Sequence, residues 1–154
     1  MKTMILAALF MGGSALAAHA ESFTFTGAGT ATNTISVTAP DGSPVAAAFN
    51  SGKAQLTYAS GKTVTSTSTC EQHSASPPVG IFRQLGECNI TDPTGNSSIL
   101  YGCNPTKDMA AANCVGGLWG TSGAYAGKSG TITWHSTVSA DGKTATFTGT
   151  GQWN

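Results

Sequence analysis

Beyond its first twenty residues, this chain has no segment able to bury one face of a helix, and that absence constrains its fold more than any other feature. No window of a dozen residues sets apolar side chains at i, i+3, i+4 and i+7, the spacing that gives a helix its apolar stripe. Alternation with a period of two recurs instead, which is the pattern of a strand with one buried face. In Ser22 to Ala31, Phe23, Phe25, Gly27 and Gly29 share one face while Thr24, Thr26 and Thr30 share the other. Ala54, Leu56 and Tyr58 oppose Gln55 and Thr57, and Ile132 and Trp134 oppose Thr131, Thr133 and His135. The last run sets Ala145, Phe147, Gly149, Gly151 and Trp153 against Thr144, Thr146, Thr148, Thr150 and Gln152.

Turn residues punctuate these runs. Asp41-Gly42-Ser43-Pro44, Ser60-Gly61-Lys62, Asp92-Pro93-Thr94-Gly95-Asn96 and Ala140-Asp141-Gly142-Lys143 carry the Gly, Asp, Asn or Pro that tight turns need. Ser74 to Pro78 and Pro105 to Asn113 read as longer loops, and Lys107 to Ala112 is the one place where a helical turn is expected. The terminal runs echo one another as T-F-T-G-x-G, at Thr24–Gly29 and Thr146–Gly151. Glycine at every second position strips one face of side chains and permits strong coiling. If the echo marks neighbouring strands, the sheet closes on itself. The expected fold is therefore all-β, a single antiparallel barrel of about eight strands, with a β-sandwich as the alternative.

The first twenty residues belong to a different grammar. Lys2 supplies a positive start, Met4 to Met11 a short apolar run, and Ala18-His19-Ala20 a small-x-small site before Glu21. Together they read as a signal peptide cleaved after Ala20, leaving residues 21–154 as one domain, secreted or periplasmic. The apolar run is too short to span a bilayer, so no transmembrane segment is expected. Without Lys2, six Lys and Arg face seven Asp and Glu, scattered singly. A nucleic-acid binder would carry a basic stripe, so no such partner is expected.

Four cysteines remain, Cys70, Cys88, Cys103 and Cys114. An even number in an exported chain reads as disulfides. Three pairings are possible, and the sequential one, Cys70–Cys88 with Cys103–Cys114, is favoured because each bridge then encloses one hairpin or loop. No C-x-x-C or H-x-x-x-H spacing occurs, so neither a metal nor any other cofactor is expected.

The stretch Gly120-Thr121-Ser122-Gly123-Ala124-Tyr125-Ala126-Gly127-Lys128-Ser129-Gly130, with the strand Thr131 to His135 after it, resembles a segment of known small barrels. It is similar to the G-x-G-x-[FY]-x-G-x-x-G segment of the allene oxide cyclase-like and dirigent-like group. The glycine-rich first and last strands suit that group as well. The resemblance covers the last third of the chain and the first strand, and none of the group's catalytic residues maps onto a position here. It implies a barrel with a central cavity, a taste for small apolar or aromatic molecules, and often a trimer.

Reactive side chains are few. Glu71 and His73 stand two apart and share a face, suiting a base with its orienting carboxylate. Arg83, the one arginine, sits in Gly80-Ile81-Phe82-Arg83-Gln84-Leu85 and could grip an anionic group. If Ile81 and Leu85 face the cavity, Arg83 does too, with Glu71 as its partner. These three are the candidate catalytic residues. His135 points away from Trp134 and is expected on the surface. Tyr58, Tyr101, Trp119 and Trp134 are the candidate ligand-binding residues, each an apolar ring with a polar handle. The expected function is binding of a small apolar or aromatic molecule. The alternatives are a cofactor-free isomerase, cyclase or lyase acting on such a molecule, and a structural or interaction protein. Amino-terminal sequencing of the exported protein should begin at Glu21; a chain starting at Met1 would contradict the leader.

Overall fold

Phenylalanine facing glycine is the unit from which this barrel is closed. The computed structural model describes residues 20–154 except Asp41, Ser43 and Gly80, and excepting the side chains of Pro44 and residues 75–79. The expected signal peptide, apart from Ala20, lies outside the described residues. Eight strands follow one another around the barrel: β1 (Glu21–Thr38), β2 (Pro44–Tyr58), β3 (Thr63–Val79), β4 (Phe82–Asp92), β5 (Gly95–Pro105), β6 (Ala111–Gly120), β7 (Ser129–Val138) and β8 (Thr144–Trp153). Each pairs antiparallel with its sequence neighbours, and β1 pairs with β8 to close the barrel. The β-sandwich alternative is thereby set aside.

The closing ladder explains the sequence echo. Phe23 opposes Gly151, Phe25 opposes Gly149, and Gly27 opposes Phe147. Each ring occupies the space that a side chain on its partner would take. A Cβ on Gly149 would lie 2.6 Å from Phe25 Cζ, and one on Gly27 would lie 2.5 Å from Phe147 Cε2. Further round the wall, a Cβ on Gly86 would overlap the Tyr101 phenol. Large side chains alternating with absent ones let a small barrel fill its core without strain.

Both disulfides form in the expected pairing, Cys70–Cys88 between β3 and β4 and Cys103–Cys114 between β5 and β6. Each joins residues directly opposite on adjacent strands, so each pins a register as well as a loop. In the chain-entropy model each contributes about 3 kcal/mol.

Two local expectations change. Lys107 to Ala112 is not helical: Asp108 Oδ1 accepts the Thr106 hydroxyl (2.6 Å) and the Ala110 N–H (3.2 Å), making a tight hairpin loop. The backbone must reverse here because Cys103 and Cys114 stand opposite each other. The one helical turn described is a 3-10 turn, Gly123–Tyr125, between β6 and β7. Ser74 to Pro78 is likewise not a free loop, since β3 runs on to Val79, which pairs with Phe82 after a register shift. A second shift, between Ala31 and Asn33 in β1, swaps the faces there. Thr34 turns inward to the cavity while Ile35 and Val37 turn out.

Because successive strands run up and down, the barrel has two unlike ends. The end holding Glu21, the β2–β3 turn, the β6–β7 loop and Trp153 is filled with Phe23, Tyr58, Val64, Leu118, Ile132 and Trp153, all buried. The other end is not filled. Gly149→Ala should lower stability by about 2 kcal/mol or more, because neither Phe25 nor the Trp134 stem can retreat. Thr148→Ala, on the exposed face one residue earlier, should cost less than about 0.5 kcal/mol. Urea unfolding of both variants checks this, and equal costs would contradict the seam.

Candidate functional site

The inward positions change character along the barrel. Near the filled end they are aromatic or branched; towards the other end they become Gly29, Ala31, Ala46, Ala48, Ala112 and Ala145. Small side chains on a wall of fixed diameter leave a hole. The result is a cavity of about 500 Å³, within the usual range for small-molecule sites. It opens among the β5–β6 and β7–β8 connections, where Met109, Gly142 and Lys143 line its edge.

Its two sides differ. Tyr101, Trp134 and Phe147 form an aromatic side, with the Tyr101 and Trp134 rings edge to face at 5.1 Å. Ser66, Ser68, Asn50, Gln72 and Gln84 supply the hydrogen-bonding groups of the other. Tyr101 donates to Gln72 Oε1 at 3.3 Å, which ties the two sides together. Burial pushes the Tyr101 phenol up to about 12.

The floor is a hydrogen-bonded relay. The β6–β7 loop swings Tyr125 under the barrel, where its ring stacks on Trp153 at 5.0 Å. Tyr125 donates to Asp92 Oδ2 at 2.6 Å, so its single proton is committed. The Tyr58 hydroxyl, 2.8 Å away, must then be the donor to the Tyr125 oxygen. Asp92 Oδ1 accepts the Thr94 N–H (2.6 Å), the Thr94 hydroxyl (2.5 Å) and the Gly95 N–H (3.2 Å). Burial raises both phenols above their usual value; for Tyr125 the bond to Asp92 raises it further. Trp153 Nε1, beside Tyr58, is the one buried side-chain polar atom without a hydrogen bond among the described residues.

The residues expected from sequence divide sharply. Tyr58, Tyr101 and Trp134 line the cavity. Trp119 does not: it is 47 % exposed on the outer wall, its ring lying over Gly117. Arg83, Glu71 and His73 are all exposed on the outside. Glu71 stands opposite Glu87, four residues along β4 from Arg83, roughly 13 Å at strand spacing. The expected Arg83–Glu71 grip on an anion inside the cavity is therefore not formed. The cause is parity. Cys88 faces inward to meet Cys70, so an odd offset on either strand, at Arg83, Glu71 or His73, points outward. The same rule, counted from Cys103 and Cys114, puts Tyr101 in and Trp119 out. It also finds Gln72 and Gln84, which alternation of apolar residues does not single out. His135 is outside as expected, with Nδ1 2.9 Å from Asn113 Oδ1.

No protein-family model matches the chain, and no curated protein sequence does. All three tyrosines of the protein are buried, which makes alkaline titration informative. A phenol raised in the folded state, from about 10 when unfolded, holds its proton more tightly folded than unfolded. Stability is then complete below about pH 10 and falls as pH rises towards the folded value, about 12 for Tyr101. Absorbance at 295 nm should stay flat to about pH 11, then rise cooperatively together with unfolding. Gradual ionisation centred near pH 10 in a folded protein would contradict this burial.

Proposed function

We propose that the protein is an exported binding barrel that holds a small apolar or aromatic molecule in its cavity. The observation that carries this reading is the cavity itself, closed by the Tyr58–Tyr125–Asp92 floor and open at the opposite end. Apolar rings line one side and neutral hydrogen-bonding groups the other, which suits a flat, largely uncharged ligand. Among the described residues its titratable lining is Asp92, Lys143 and the three tyrosines. Asp92 is saturated by four donors, and the tyrosines hold their protons at neutral pH. A lining so poor in groups that exchange protons favours holding a molecule over transforming one.

Export is supported by the small-x-small site ending at Ala20, with β1 beginning at the next residue. The two disulfides fit an oxidising compartment. No helix among the described residues is long and apolar enough to cross a membrane. The resemblance to the allene oxide cyclase-like group supports a ligand cavity; it lends no chemistry.

The probe N-phenyl-1-naphthylamine, which brightens in apolar surroundings, should bind the protein with a micromolar-range Kd. Ala48→Trp, which fills the small-residue half of the cavity, should weaken it tenfold or more, while Thr148→Ala should leave it unchanged. A parent protein that does not brighten the probe, or an Ala48→Trp variant that binds it equally well, would exclude the cavity as a binding site.

A further inference from the structure

Of the eight exposed large apolar residues among those described, four gather at one end of the barrel, and four, Phe49, Leu100, Val115 and Trp119, lie on its outer wall. Ile35 (59 % exposed) and Val37 (60 %) lie within four residues of the upper end of β1. Ile81 (77 %) sits in the β3–β4 turn and Met109 (55 %) in the β5–β6 loop. In an up-and-down barrel these three segments share one end, and it is the end at which the cavity opens. Met109 both lines that opening and protrudes from it. It is also the one non-glycine residue at positive φ (59°) among those described. Thr106 and Asp108 hold that turn with hydrogen bonds from both sides. A long apolar side chain fixed outward in an unfavourable backbone conformation calls for a functional account.

We propose that this rim docks on a lipid bilayer, so that an apolar ligand passes between membrane and cavity without crossing water. The proposal rests on the cavity reading above. Two features favour a bilayer over a protein. The apolar groups sit on separate segments, where a fluid surface accepts each one independently, whereas a protein partner needs a contiguous complementary face. Lys107 stands two residues before Met109, and Lys143 lines the opening between Gly142 and Thr144, placing cations at headgroup level beside the inserted residues. Asp108 and Asp141 stand beside these lysines as exposed carboxylates, Asp108 accepting from Thr106 and Ala110 and Asp141 from the Ser139 hydroxyl (2.6 Å) and the Lys143 N–H (3.1 Å), so the lysines act as single headgroup contacts and not as a basic patch.

The test uses residues 21–154, the whole closed barrel, sedimented with vesicles of phosphatidylcholine alone and with added phosphatidylglycerol. The parent should partition onto both. A rim variant carrying Ile35→Ser, Val37→Ser and Ile81→Ser, none of which lines the cavity, should partition at least about tenfold more weakly. A wall variant, Leu100→Ser with Val115→Ser, removes exposed apolar groups from the barrel's side and should behave as the parent does. The rim variant should still bind N-phenyl-1-naphthylamine without vesicles, showing that fold and cavity are intact. Absence of parent binding to either vesicle overturns the proposal, as does equal loss in the wall variant or an unaffected rim variant. Rim residues that instead mediate binding to a purified protein, with no vesicle binding, overturn it too. If neither protein binds the probe while the vesicle difference persists, the cavity reading fails and the docking surface stands.

Discussion

Phe23, Phe25 and Phe147 can occupy the inside of this barrel only because Gly151, Gly149 and Gly27 stand opposite them. That seam joins the first strand to the last, and everything else follows from its closure. An open sheet of this sequence would expose two edges of unpaired backbone, and its threonine-rich outer face offers no second layer to pack against. Closure satisfies the edges and encloses the alternate residues of all eight strands in one operation. The seam is also specific in register. Sliding β8 by two residues against β1 would set phenylalanine against phenylalanine, and sliding it by one would turn Phe147 to solvent.

A barrel of fixed strand number has a nearly fixed diameter, so residue volume alone decides whether it is solid or hollow. At the Trp153 end the rings and branched side chains fill it. At the other end alanine, glycine and serine leave it empty over about 500 Å³. The floor beneath the filled end is polar but saturated, with each proton of the Tyr58–Tyr125–Asp92 relay assigned to one acceptor. Binding capacity in this protein is thus a consequence of missing side chains in a closed wall. The disulfides, facing that cavity from adjacent strands, hold the registers on which the inner set depends.

The same parity explains why the catalytic candidates stand outside the cavity. Along Ile81 to Cys88 the sequence alternates Ile81, Arg83 and Leu85 against Phe82, Gln84 and Cys88. Both sets carry apolar residues, so hydrophobicity does not distinguish the inner face from the outer one. Counting from the cysteines does distinguish them, since a bridge between adjacent strands is buried on the core side. By that count Arg83, Glu71, His73 and Trp119 face out, and Gln72, Gln84 and Tyr101 face in. Lys107 to Ala112 departs from expectation for a different reason. Its alanines favour helix, but a hairpin loop tied at Cys103 and Cys114 has no room for one.

Local chemistry and period therefore settle a good deal from sequence alone: an all-β chain, the positions of most turns, the two cysteine pairs, and the neighbouring of first and last strands. These are properties of segments and pairs, written in alternation, in glycine placement and in the even cysteine count. Which end is hollow, which face of β4 is inside, and that Tyr125 reaches under the barrel to Asp92 were decided only by the closed structure. Each depends on where many strands stand relative to one another. The cavity is a sum over eight inner faces, and the Tyr125–Asp92 contact spans 33 residues of chain. The bulge at Ala31 and Asn33 shows the limit most plainly. One extra residue there sends Ile35 and Val37 outward to the rim, and nothing in the local sequence distinguishes it from an unbroken strand.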